Sequence, residues 1–176
     1  MWCALHQLNQ PVSERQCHGT KPGVRCSVRL VHAGPTSFAR SPNALGDYSD
    51  AIGINPDFAR AFMNRGVAHS AENNLEDALR DLNKAVELAP RNLEGYYNRA
   101  MVFTQLGRLL DATEDYTVAI HLNERDPEPY IARGRVWESL KEINKAIGDY
   151  SNALAVDPAN GKALRQLKQL GVQRAL

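Results

Sequence analysis

Seven charged residues form the most chemically suggestive set in the chain. Arg65, Arg99 and Arg133 recur 34 residues apart, and Asp47, Asp81, Asp115 and Asp149 recur at the same interval. An arginine fork matches a carboxylate with two parallel hydrogen bonds, so recurrent Arg and Asp can brace a structure or capture an acidic ligand. The sequence favours the brace, as the pairs Arg65–Asp81, Arg99–Asp115 and Arg133–Asp149, each sixteen residues apart. Pairing each Arg with the Asp eighteen residues earlier, beginning with Asp47, is the alternative.

Nothing else resembles reaction chemistry. His69 and His121 are the histidines of the periodic region, and neither has a Ser, Cys or paired carboxylate at a spacing that activates a nucleophile. Gly107 and Gly134 stand alone, without the clustering that cradles a phosphate. Cys3, Cys17 and Cys26, even with His6, His18 and His32, fit no zinc spacing. The chain is therefore read as a non-enzyme with no catalytic residue, no cofactor and no metal.

The charged residues lie inside a longer pattern. Gly46-Asp47-Tyr48-Ser49-Asp50-Ala51-Ile52 returns as Gly148-Asp149-Tyr150-Ser151-Asn152-Ala153-Leu154, with related heptads starting at Arg80 and Glu114. A fixed period of this size marks stacked units that bury their apolar faces only against each other. Each period holds two apolar stripes at helical spacing. Phe62, Gly66 and His69 make one, and Leu75, Ala78, Leu82, Ala85 and Leu88 the other. Polar residues near Asn73, Gly107 and Lys141 break the pairs, and Pro90 and Pro158 follow second stripes, where the missing N–H helps end a helix.

This arrangement resembles the tetratricopeptide repeat. Aromatics flank a small residue in the first stripe, and Ala, a bulky residue and Ala follow in the second, then Pro. His69 departs from the pattern where an aromatic is usual, and Glu124 where Pro is. The resemblance implies an all-α fold, an α-solenoid of antiparallel helix pairs. It divides the chain into a half repeat at 43–58, repeats at 59–92, 93–126 and 127–160, and an amphipathic cap at 161–171. Residues 1–42 have little periodicity and read as a disordered segment outside the solenoid. The half repeat lacks a first helix. That suggests a variant or piece of a longer array, with apolar surface at Ala44, Leu45 and Tyr48 left open for self-association through helix 43–55.

In this family the first helices line a concave face. Carried over, the groove candidates in the first repeat are Arg60, Met63, Asn64 and Val67. Glu94, Tyr97, Asn98, Met101 and Gln105 follow in the second, and Ile131, Arg135 and Glu138 in the third. Met63, Tyr97, Met101 and Ile131 would form an apolar floor, with Asn64 and Asn98 facing an extended peptide backbone. The implied function is a non-catalytic interaction scaffold that holds a peptide or helix of another protein. Its rival is a structural segment that stacks through its ends. Members that clamp a chaperone's C-terminal carboxylate use Lys, Asn and Arg at positions held here by Met63, Val67, Glu128 and Ala132. Only Asn98 fits, and Glu128 would repel a carboxylate.

Charge excludes little else. Residues 1–42 carry Arg15, Lys21, Arg25, Arg29 and Arg40 against Glu14, while the rest of the chain is mildly acidic. Neither balance points to nucleic acid. No apolar run is long enough to span a membrane. An intracellular, cytoplasmic setting is the reading, with mitochondrial targeting by residues 1–42 as the alternative.

Overall fold

Two kinds of turn alternate along the chain, and together they generate the fold. The structure, a computed structural model, describes residues 44–172. Eight helices and no strand occur among the described residues. They are α1 (Ala44–Ile54), α2 (Ala59–Ala71), α3 (Leu75–Leu88), α4 (Leu93–Gln105), α5 (Leu109–Leu122), α6 (Pro127–Ser139), α7 (Ile143–Val156) and α8 (Gly161–Gln169). The expectations for residues 1–42, including their cysteines, lie outside the described residues.

The first kind of turn joins the two helices of a pair. Asn73, Gly107 and Lys141 each adopt a left-handed backbone, with φ of 63°, 73° and 64°. After each, an N–H reaches back across the turn: Asn74 to the His69 carbonyl at 2.8 Å, Arg108 to Phe103 and Glu142 to Trp137, both at 2.9 Å. This closure satisfies carbonyls that the helix end leaves orphaned. Gly171, at φ 77°, ends α8 the same way through Val172 and Leu167.

The second kind starts a new pair with a side-chain cap. Asn92 Oδ1 accepts from the Glu94 N–H, Asp126 Oδ1 from the Glu128 N–H, and Asn160 Oδ1 from the Lys162 and Ala163 N–H groups. Short polar side chains at this position satisfy orphan donors and are favoured there for that reason. Pro127 sits in the first turn of α6, where its missing N–H costs nothing.

Within a pair the helices approach closely because small residues face each other. A β-carbon at Gly66 would lie 2.8 Å from Leu82 Cγ and 3.1 Å from the Ala78 carbonyl oxygen. Ala78, Ala112 and Ala146 are fully buried, as are Ala100 and Tyr150. One core cluster runs from Met63 through Leu82, Phe103 and Tyr116 to Val136, and another holds Ile131, Tyr150, Leu154 and Leu167. Each helix packs on the next, and the first helices α2 and α4 also touch. The small-residue column Gly66, Ala100, Gly134 reaches Lys168 one period later, which is exposed. A lysine there is bulkier than the Gly or Ala that lets helices approach closely in the preceding pairs.

The half repeat departs from expectation. Ala44 and Tyr48 are buried, cluster with Ala68, and have Leu45 half-buried beside them. The apolar patch expected at these three positions is therefore covered. Their spacing sets Ala44 and Tyr48 on one face of α1, and that face lies in the core with Ala68 rather than in water. The exposed apolar residue of α1 is Ile54.

Candidate functional site

The arginine column is half-buried between the helices. Arg65 Nε and Nη2 donate to the two carboxylate oxygens of Asp81 at 2.7 and 2.8 Å. Arg99 and Asp115 repeat the geometry at 2.7 and 2.8 Å, and Arg133 and Asp149 at 2.8 and 2.7 Å. All three aspartates are buried. The remaining nitrogen of each fork reaches the preceding pair: Nη1 of Arg65 donates to Ser49 Oγ, that of Arg99 to Asn83 Oδ1, and that of Arg133 to Thr117 Oγ1. Each guanidinium thus ties three helices together. Bonding to the aspartate raises the pKa of Arg65 and Arg99 against the opposing effect of burial. With their donors engaged, these arginines have no free fork for a ligand.

The concave face between α2 and α4 holds a cavity of about 330 Å³. Met63, Asn64, Val67, Leu93, Glu94, Tyr97 and Asn98 line it, with Asp126 and Glu128 from the start of α6. Val67, Leu93 and the Tyr97 ring give it an apolar wall. Tyr97 also packs edge-on against Tyr116, with ring centroids 5.5 Å apart. Burial raises the Tyr97 pKa first, and the charges of Glu128 and Asp126 add to it, while Arg135 opposes them. Asn64 Oδ1 is buried and has no hydrogen-bond partner.

The structure brings six of the twelve groove candidates to this cavity: Met63, Asn64, Val67, Glu94, Tyr97 and Asn98. Met63 contributes only an edge, because its side chain is a core residue at 2% exposure. Ile131, also 2% exposed, lies in the core cluster around Tyr150 and does not form a groove floor. It stands on the α6 face turned inward, a distinction that helical spacing by itself leaves open. Met101 is exposed, and Gln105 accepts a bond from Ser70 at 3.4 Å. Arg60 and Arg135 are exposed, and Glu138 accepts a short hydrogen bond from the buried Tyr150 hydroxyl. Leu93 and Asp126 were missed as lining residues. Asp126 had a signal, since a capping residue sits at the mouth of the groove that its helix lines.

His69 Nε2 lies 4.0 Å from Asp81 Oδ2, and its Nδ1 is buried without a partner. His121 is exposed. Among the described residues no group of three or more His, Cys, Asp or Glu is placed to hold a metal ion, and no helix is long and apolar enough to cross a membrane.

Paired helices stacked at one period, closed by the same two turns, define an all-α repeat solenoid of the protein-binding scaffold class. Residues 59–92 match the sequence profile of the tetratricopeptide repeat, and solved structures of tetratricopeptide-repeat proteins share the fold of this chain. Three solved structures illustrate the likeness. The TPR domain of Arabidopsis OM64 is 27% identical, with a TM-score of 0.61 over 64% of this chain and 93% of that one. The first TPR of Spaghetti, solved with an HSP90 peptide, is 24% identical, with a TM-score of 0.61 over 64% and 90%. A thermophilic TPR protein of Thermus thermophilus is 21% identical, with a TM-score of 0.66 over 75% and 73%. No curated protein matches the sequence.

Proposed function

We propose that this chain is a non-catalytic adaptor whose concave face holds a segment of a partner protein across α2, α4 and α6. The observation that carries this reading is the cavity between α2 and α4, where an apolar wall adjoins the unpartnered Asn64 Oδ1 and the Asn98 side chain. A buried acceptor left without a partner is costly, and a donor on a bound chain removes the cost. Apolar contact beside a few placed polar groups is the usual composition of a recognition site.

A chaperone-type C-terminal carboxylate is a poor occupant. Glu94, Asp126 and Glu128 surround the cavity, and a carboxylate there meets like charge. That an HSP90 peptide binds Spaghetti is a property of that protein, whose likeness to this chain shows the shared fold. End-to-end stacking is the weaker reading, since Lys168 stands where close packing needs a small residue.

The test is selection from a randomised dodecapeptide phage library on the full chain and, in parallel, on Val67→Trp, which fills the cavity. Enrichment on the wild type and not on the filled variant supports groove binding. Equal enrichment on both refutes it.

A further inference from the structure

One column of positions along the concave edge reads Arg60, Glu94, Glu128, Lys162, each a period from the next. Its last two members are joined, with Lys162 Nζ at 2.7 and 2.9 Å from the two carboxylate oxygens of Glu128. Its first two are not. Among the described residues Glu94 has no ion pair. Asp126, beside it at the mouth, uses Oδ1 to cap the Glu128 N–H and has no cation either.

The carboxylates of Glu94 and Asp126 at this cavity lack a cation, and its fully buried side-chain atom without a partner, Asn64 Oδ1, is an acceptor. An occupant that satisfies them has to bring donors. Ammonium and guanidinium groups carry donors and no acceptor, and they also neutralise the two uncompensated charges. Their aliphatic stems suit the wall of Val67, Leu93 and the Tyr97 ring, leaving the charged head at the rim. The negative field reaches into the cavity, since Glu128 and Asp126 both act on the Tyr97 hydroxyl, with Arg135 as the cation opposing them.

We infer that the partner segment presents a lysine or arginine side chain to Glu94 and Asp126, with its stem against Val67, Leu93 and Tyr97. This rests on the adaptor reading and specifies its partner as a basic segment.

The same library selection tests it, now read for composition, and the recovered peptides are then titrated by fluorescence anisotropy. Peptides enriched on the wild type are expected to carry a surplus of Lys and Arg. Their affinity is expected to fall roughly fivefold or more in the double variant Glu94→Gln, Asp126→Asn, and to weaken as salt rises. Asn keeps the helix cap at position 126, so the double variant retains its helix start, and circular dichroism verifies its fold. Enriched peptides that are acidic or neutral, or basic peptides indifferent to the double variant, overturn the cation inference while leaving groove binding intact. Absence of enrichment over Val67→Trp overturns both.

Discussion

Arg99 and Asp115 face each other across the second helix pair with two parallel hydrogen bonds of 2.7 and 2.8 Å, while the third arm of the same guanidinium holds Asn83 of the preceding pair at 2.9 Å. The bond pattern recurs at Arg65 and Arg133, so repeat-to-repeat cohesion has a polar component alongside apolar packing. Removing one member strands the other. Arg99→Ala is expected to cost about 3 kcal/mol, because Asp115 would be left buried and unpaired. Arg99→Lys keeps the charge but loses the fork, and should fall between wild type and Ala. Urea denaturation measures both, and wild-type stability in Arg99→Ala would show that the bond network is dispensable.

Two glycines in neighbouring helices should respond to the same substitution with opposite signs. A β-carbon at Gly134 would lie 2.7 Å from Cε1 and 2.9 Å from Cζ of Tyr150, a fully buried ring whose hydroxyl is held by Glu138. Gly134→Ala is expected to destabilise by about 1–3 kcal/mol through overpacking, less any gain in helix propensity. At Gly148, exposed within α7, a β-carbon meets nothing within 4 Å. Gly148→Ala should stabilise by about 0.5–1 kcal/mol. Thermal melts of the two variants give the signs directly.

Lys141 occupies the left-handed turn position that Gly107 fills one period earlier. A β-carbon in that conformation costs roughly 1 kcal/mol. Lys141→Gly should therefore raise the urea midpoint, and Gly107→Ala should lower it. A neutral result at both positions would mean that the turns relax to another backbone conformation at little cost.

Tyr116 links stability to pH. Burial, with a further contribution from Tyr97, pushes its pKa from the usual 10.0 up to about 12. The unfolded chain ionises this phenol first, so between these values the folded state holds the extra proton. Stability is then undiminished below pH 10 and falls as pH rises toward 12. Tyr116→Phe should flatten that part of the profile. Denaturant titrations at stepped alkaline pH check it, and an unchanged slope would place the alkaline loss elsewhere.

Much of this molecule was legible in the sequence because repetition turns local signals into a consistent pattern. Positions 73, 107 and 141 interrupt the apolar stripes in each period, and backbone conformation at a turn is decided by a few neighbouring residues. The small residues at 66, 78, 100, 112, 134 and 146 mark close helix approach for the same reason, since the constraint recurs with the period. Tertiary structure decided what depends on how helices lie across each other. It selected the aspartate sixteen residues after each arginine and added Ser49, Asn83 and Thr117 as third partners. It turned Ile131 into the core, and it covered Ala44 and Tyr48. It also closed Glu128 on Lys162 while leaving Glu94, one period before Glu128, without a cation. Period shows which residues share a face of a helix, but which neighbour that face meets and how far a side chain reaches are set by interhelical distance and angle, which appear only when the helices are stacked.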